Sequence, residues 1–287
     1  MNESGPPPSA QKPGKVTKST ISRILDMVPA GRLVVHSRVF QRTVNQYLQL
    51  FPIIRTLKTS GIRYFIKDLE NFYTAEEIFS REVYNDAFTE RVSSFVDLGA
   101  NCGYFACYAA HRGKLRGEKV IGLTVEANPT LLSQIQGNLD INNLAEVHSI
   151  HGLVGRLDKE EFGELLLSNS HTSSSQFGVH PHAKWKKFGQ ATQVAYVSVK
   201  KLWTEKFGDR KIDLLKVDIE GSEERFLNEA PSVLPLCHRV LIEIHKWLVD
   251  REKIIAILDE HGFAYDQSIE NDEWFEVVLF VRKESVQ

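Results

Sequence analysis

The chain has 287 residues, 42% hydrophobic and 25% charged, with a formal net charge of −2. That length allows one large or two small domains, and that apolar content supports a packed core and excludes a wholly disordered chain. No apolar run reaches the roughly 18 residues of a bilayer span, and no hydrophobic leader core stands near the start. Cys102, Cys107 and Cys237 are scattered and form no metal spacing, so a reducing, cytoplasmic setting is the expectation.

The small net charge hides an asymmetry. Residues 1–63 carry ten Lys and Arg against Glu3 and Asp26, a net of +8, which leaves −10 for the remainder. Such a leader reads as a plain tail or as a membrane-surface, nucleic-acid or targeting segment. Residues 1–19, with Pro6-Pro7-Pro8, are expected to be disordered, and nucleic acid is not an expected partner. From Thr20 to about Ser60, the spacing of Ile21, Ile24, Leu25 and Val28, then of Val44, Tyr47, Leu48 and Phe51, predicts two helices broken near Pro29-Ala30-Gly31. Ile62 to Ile66 alternates like a strand, and Thr74-Ala75-Glu76-Glu77 reads as a capping box ahead of Ile78 and Phe79. Residues 20–91 are thus expected to form a helical N-terminal extension capping a main domain at 92–287.

In that domain strands and helices alternate, the pattern of a parallel α/β sheet. Phe95-Val-Asp-Leu-Gly-Ala-Asn-Cys-Gly103 is an apolar strand that turns at once into a helix expected to open at about Cys102. The spacing is Gly99-Ala100-Asn101-Cys102-Gly103, and a dinucleotide fingerprint would need glycines at Asn101 and Tyr104. Asn is the non-glycine residue that best tolerates a left-handed backbone. A turn of this kind, with the carboxylate of Asp97 just ahead, suits a ligand that carries an ammonium and no pyrophosphate. Val120 to Val125 forms the next strand, ending on Glu126 where a ribose-binding acid is expected, and Asn128 and Pro129 are expected to cap and start the following helix.

A third strand is expected at Glu146 to Ile150, and residues 160–190 form a polar insertion in which His171, His180 and His182 lack the partners of a metal site. Ile212 to Val217 is a fourth strand, ending in Asp218-Ile-Glu220-Gly221-Ser222-Glu223, and Val240 to Ile244 a fifth, ending at His245. Beyond the helix through Ile254 and Leu258, Phe263 to Tyr265 and Trp274 to Val281 read as a terminal hairpin whose short link makes the last strand antiparallel.

Val96-Asp-Leu-Gly-Ala-Asn-Cys-Gly-Tyr104, Val125-Glu-Ala-Asn-Pro129, Leu215-Lys-Val-Asp-Ile-Glu-Gly-Ser-Glu223 and Leu241-Ile-Glu-Ile-His245 together resemble the FkbM family of S-adenosylmethionine-dependent methyltransferases. The resemblance implies a class I, Rossmann-like three-layer α/β sandwich with a mostly parallel seven-stranded sheet. It implies methyl transfer from S-adenosylmethionine to a hydroxyl on a sugar, polyketide or related metabolite, so the partner is a small-molecule or glycan acceptor. By position, Asp97, Gly99, Ala100, Asn101 and Gly103 would line the methionine portion of the cofactor, Glu126 with Asn128 its ribose side, and Asp218 its ammonium. Asn143 and the turn at His151-Gly152 are candidates for the adenine. His245, Asp218, Glu220 and Glu243 end neighbouring strands and are the candidate catalytic groups, with His245 favoured as proton acceptor because its ordinary pKa lies near neutrality. No metal is included in this reading, although Asp218 with Glu220 could recruit a divalent cation if a third ligand joined them. An inactive cofactor-binding module and a nicotinamide-dependent oxidoreductase are the alternatives. Glu223 reads only as an acid favouring a helix N-terminus.

Overall fold

A computed structural model describes residues 38–155, 162–168 and 188–283. The expected tail at 1–19, the first leader helix and residues 169–187 of the polar insertion lie outside the described residues. The chain divides after Val44 into two units, of which the first is described only at the start of helix α1 (Arg38–Leu50). Everything below belongs to the second.

The expected second leader helix stops at Leu50, because Pro52 disfavours helical backbone in the residue before it. Strand β1 (Ile53–Thr56) follows and pairs antiparallel with β2 (Arg63–Ile66), so residues 53–56 are extended where a helix was expected. Helix α2 (Leu69–Ala75) is capped by Asp68, which accepts from the Asn71 backbone at 2.7 Å. The expected capping box is therefore not used: Thr74 lies inside α2, and Glu76–Ser80 continues it as a wider π turn.

The alternation then unfolds as expected. Strand β3 (Ser94–Leu98) leads to α3 (Tyr104–Leu115), β4 (Ile121–Glu126) to α4 (Leu132–Asp140), and then comes β5 (Val147–His151). The insertion enters and leaves through an antiparallel ribbon of β6 (Phe162–Ser168) and β7 (Phe188–Ala195). Helix α5 (Val199–Phe207), β8 (Ile212–Val217), α6 (Glu223–Glu229), β9 (Cys237–His245), α7 (Arg251–Glu260), β10 (Phe263–Asn271) and β11 (Phe275–Arg282) complete the chain. Two helix starts are later than expected. Helix α3 begins at Tyr104, not Cys102, and α4 at Leu132, because Asn128 Oδ1 closes a turn by accepting from Thr130 N at 3.0 Å and Thr130 Oγ1 at 2.7 Å.

The seven-stranded sheet has the order β10-β11-β9-β8-β3-β4-β5, and only β11 runs against its neighbours. On one face, Trp203, Phe226, Leu227, Ile254 and Leu258 from α5, α6 and α7 pack on Val96, Leu215, Val240 and Ile242. On the other lies α3, buried from Tyr104 to His111, because it is covered by the sheet on one side and by the N-terminal extension on the other. Phe105 meets Phe95 of the sheet at 5.8 Å and Tyr84 of the extension at 5.4 Å between ring centres. Asn138 and Asn142 of the α4 region stitch the extension down: their Oδ1 atoms accept from Phe65 N at 2.9 Å and Arg63 N at 2.8 Å, where a neighbouring strand would otherwise pair. The chain thus has the class I methyltransferase sandwich, and its strand order reverses between β3 and β8, where ligands bind outside the carboxyl ends of an open sheet.

Candidate active site

The turn after β3 is left-handed at all three positions that its spacing singles out: φ is +78° at Gly99, +50° at Asn101 and +81° at Gly103. At Gly99 the backbone of β8 comes so close that a Cβ would sit 1.7 Å from the Asp218 carbonyl oxygen. That approach lets Asp218 N donate to Leu98 O at 3.0 Å and so brings the two strand ends to one crevice.

Most of the turn's amides are already engaged. Gly99 N and Ala100 N donate to Val125 O, Gly103 N to Ala100 O, and Asn101 N to Glu126 Oε2 at 2.7 Å. A pyrophosphate needs such groups free, so the geometry agrees with the missing glycines in excluding a dinucleotide. Glu126 Oε1 in turn accepts from Asn128 N at 2.8 Å. Each carboxylate oxygen keeps a further lone pair, and the side chain lines the cleft. Burial pushes Glu126 up to about 7 in spite of the Asn128 and Asn101 amides, an environment that favours hydroxyl donors. A ribose diol supplies two.

Lys216 is a group the sequence reading passed over. It is buried on β8, with Nζ 3.3 Å from Asp97 Oδ1 and 3.1 Å from Asp218 Oδ2. Burial alone would lower its proton affinity, yet Asp218 and Asp97 hold it well above the ordinary lysine value. Asp97 is fully buried, and burial pushes it up to about 6 against the pull of Lys216. Asp97 does not line the cleft; it anchors Lys216 beneath the crevice. Asp218, with a side chain 25% exposed, does line it and can meet an ammonium.

Beyond Asp218 the strand ends carry more acid. Glu220 and Glu243 line the cleft, as does Glu77 from the extension, whose carboxyl burial and Glu270 raise. Burial and Asp218 hold Glu243 well above the carboxylate range. His245 stands behind them, 6% exposed. Its Nδ1 lies 2.9 Å from Glu223 Oε1, and since a carboxylate only accepts, Nδ1 carries the proton. Nε2 points between Glu220 at 3.6 Å and Glu243 at 3.7 Å. Burial alone would lower the imidazole, but Glu223, Glu220 and Glu243 hold it well above its ordinary value. Of His245 and Glu243, it is Glu243 that lines the cleft.

Of the residues singled out from sequence, Gly99, Asn101, Glu126, Asp218, Glu220 and Glu243 line the cleft; Asp97, Ala100, Gly103, Asn128 and His245 support it from behind. Of the adenine candidates Gly152 lines the cleft, whereas Asn143 borders a shallow groove beside β5. Glu223 is more than a helix-end acid: fully buried, its Oε1 also accepts from Ile219 N at 3.2 Å and Gly221 N at 3.0 Å, tying the turn after β8 to His245. The sequence carried one signal for Lys216, a lone cation inside an apolar strand. Thr74, Glu77, Ile78, Tyr84 and Phe275, which also line the cleft, carried none.

The sandwich, the turn that admits no pyrophosphate and the buried acid at the end of β4 define a class I methyltransferase. The chain belongs to the FkbM family, matching the Methyltransferase FkbM domain over residues 97–265. Its cofactor is S-adenosylmethionine, and the residues fit it: Glu126 offers acceptors to the ribose, and an acidic mouth complements a ligand bearing a sulfonium and an ammonium. Methyltransferase 1 of Beauveria bassiana is 26% identical over 219 residues, covering 72% of this chain and 85% of that protein. Methyltransferase sdnD of Sordaria araneosa is 28% identical over 235 residues, covering 74% and 88%. Among solved structures, a TehB-like SAM-dependent methyltransferase from Corynebacterium glutamicum aligns with a TM-score of 0.41 and 12% identity, over 75% of this chain and 96% of that one.

Proposed function

We propose that the protein is an O-methyltransferase that modifies a hydroxyl on a small metabolite or glycan. The observation that carries this is the convergence of Asp218, Glu220 and Glu243 at the ends of two adjacent strands, on the crevice that Glu126 and Gly99 also line. Bound S-adenosylmethionine supplies an electrophilic methyl group. Glu126 would hold the ribose hydroxyls, and Asp218, braced by Lys216, would take the ammonium. An acceptor hydroxyl would take that methyl, the C–S electron pair remaining with sulfur, and its proton would have to be received by a residue of the cleft. Glu243 is placed to take it, because its side chain lines the cleft beside Asp218 and Glu220. Such help is worth about 10²–10⁴-fold, and alignment of oxygen and methyl contributes roughly 7–11 kcal/mol. Glu77, Tyr84 and Phe275 frame the space for the acceptor.

The test uses the full chain with cofactor carrying a labelled methyl against sugars, polyketide alcohols, amines and carboxylic acids. Label recovered in ethers supports the reading. Label only in amines or esters overturns it, and cofactor binding without turnover on any class favours a binding module.

A further inference from the structure

Around His245 the cleft gathers several carboxylates. Asp218, Glu220, Glu223 and Glu243 converge there, and the buried lysine nearby, Lys216, is already shared between Asp218 and Asp97. Two independent features mark what this arrangement is for. One is the set of donor atoms: a carboxylate oxygen of Asp218, one of Glu220 and a ring nitrogen of His245 all lie within 4.8 Å of one another. Ligand atoms about 2.1 Å from one ion stand roughly 3.0–3.5 Å apart at octahedral to tetrahedral angles. The 3.6 Å between His245 Nε2 and Glu220 Oε2 is a few tenths wider. It is too long for a hydrogen bond and close to what a shared ion would set.

The other feature is the orientation of the imidazole. His245 is 6% exposed, and its Nδ1–H is held by Glu223 Oε1 at 2.9 Å. That leaves Nε2 in the gap between Glu220 and Glu243, where an incoming cation would displace its proton. A carboxylate that fixes the outer nitrogen of a metal-bound histidine is the recurring supporting contact of such sites. Glu223 itself is locked by Ile219 N and Gly221 N, while its Oε2 is buried without a hydrogen-bond partner among the described residues. The turn that carries Glu220 is held in an unusual backbone, with φ of +53° at Glu220 and +94° at Gly221, which places this side chain beside the histidine.

We propose that Asp218, Glu220 and His245 form a binding site for one divalent first-row cation at the mouth of the cleft, where the cation binds the oxygen of the methyl acceptor. One imidazole with two carboxylates favours manganese, iron, cobalt or zinc over calcium. A cation there binds the hydroxyl oxygen, acidifies it and holds it toward the methyl, while Glu243 receives the proton. Glu223 is a positioning residue for His245. This role of the cation rests on the O-methyl transfer proposed above; the site itself does not.

Full-length protein stripped with a chelator is titrated with Mn²⁺, with free ion followed by electron paramagnetic resonance, and with Co²⁺ by visible absorption. Binding of S-adenosylhomocysteine is measured by calorimetry on the same samples. One equivalent of Mn²⁺ should bind, and Glu220→Gln and His245→Ala should each weaken it at least tenfold. Affinity of Glu220→Gln for S-adenosylhomocysteine should stay within about twofold of the wild type, and its circular dichroism unchanged. If His245→Ala does not fold, Glu220→Gln decides alone. Absence of stoichiometric Mn²⁺ and Co²⁺ binding in protein that binds S-adenosylhomocysteine normally overturns the site, as does Mn²⁺ binding indifferent to Glu220→Gln. Undiminished methylation of a hydroxyl by the chelated protein overturns the cation's role. Failure to bind S-adenosylhomocysteine at all strikes the methyltransferase reading instead.

Discussion

Substituting Gly99 with alanine tests the crevice at its narrowest point. A Cβ there would lie 1.7 Å from the Asp218 carbonyl oxygen and 2.8 Å from its carbonyl carbon. Real Cβ contacts are essentially never closer than 3.0 Å, so the end of β8 must retreat by about 1.3 Å. That shift would break the 3.0 Å hydrogen bond from Asp218 N to Leu98 O. Left-handed backbone costs a non-glycine residue about 1–2 kcal/mol, overpacking about 1–3, and the lost hydrogen bond about 1, so Gly99→Ala should cost roughly 3–6 kcal/mol. Two other glycines with similar backbone calibrate this. Gly117, at φ +71°, faces open space, and Gly103, at φ +81°, would place its Cβ 3.3 Å from Ile135. Urea denaturation should therefore rank the costs Gly117→Ala, Gly103→Ala, Gly99→Ala in rising order, the first at only about 1–2 kcal/mol. Calorimetry should find S-adenosylhomocysteine binding by Gly99→Ala reduced at least tenfold, because Asp218 moves with the strand. A Gly99→Ala protein as stable as Gly117→Ala, with normal ligand affinity, would refute the close-approach argument.

Lys216→Met leaves Asp97 buried without its cation and should cost about 3–5 kcal/mol in chemical denaturation; adding Asp97→Asn to the same chain should recover at least half of that, and no recovery would mean the pair is not coupled. Glu126→Ala strips the acceptor from Asn101 N and Asn128 N, so it should lower stability by about 2–4 kcal/mol as well as cofactor affinity by at least tenfold, read by denaturation and calorimetry; a binding defect without any loss of stability would contradict the bracing role. His111, hydrogen-bonded to Ser60 Oγ at 2.8 Å, is pushed down to about 4 by burial and by Arg112. The unfolded chain therefore takes up a proton near pH 6.5 that the folded chain refuses, so this contribution is present above that pH and is lost as pH falls toward 4, by about 2–3 kcal/mol. His111→Gln should flatten the stability profile across that window, and an unchanged slope would show that other groups set it.

Much of the sheet was legible because buried parallel strands leave apolar runs that end abruptly on ionisable residues, as at Glu126, Asp218 and His245. The left-handed turn was readable for a related reason: few residues besides glycine and asparagine tolerate that backbone, so the spacing of Gly99, Asn101 and Gly103 encodes geometry directly. Residues 53–56 were misread because the apolar spacing up to Phe51 carries no mark of where a helix yields to a strand, and the pairing that decides it comes from Arg63–Ile66. The capping box at Thr74 failed because Asp68 lies six residues upstream and caps first. Within the site, charge alone could name Asp218, Glu220, Glu243 and His245, but not which of them faces the cleft. That depends on Glu223, whose hidden contacts join a turn after β8 to the last residue of β9. Such a link has no local periodicity to betray it.

Strand β11, the last element described, lies between β9 and β10 rather than at an edge. Synthesis reaches Phe275–Arg282 only after β10, so β10 has no place in the sheet until β11 is made. Until then β9 presents an open edge, and the residues that frame the cleft near Phe275 are missing one wall. Truncation before Phe275 would therefore remove an interior plank rather than an edge strand. Any fragment that stops short of β11 leaves β9 unpaired on that side and the cleft without the wall that Phe275 supplies.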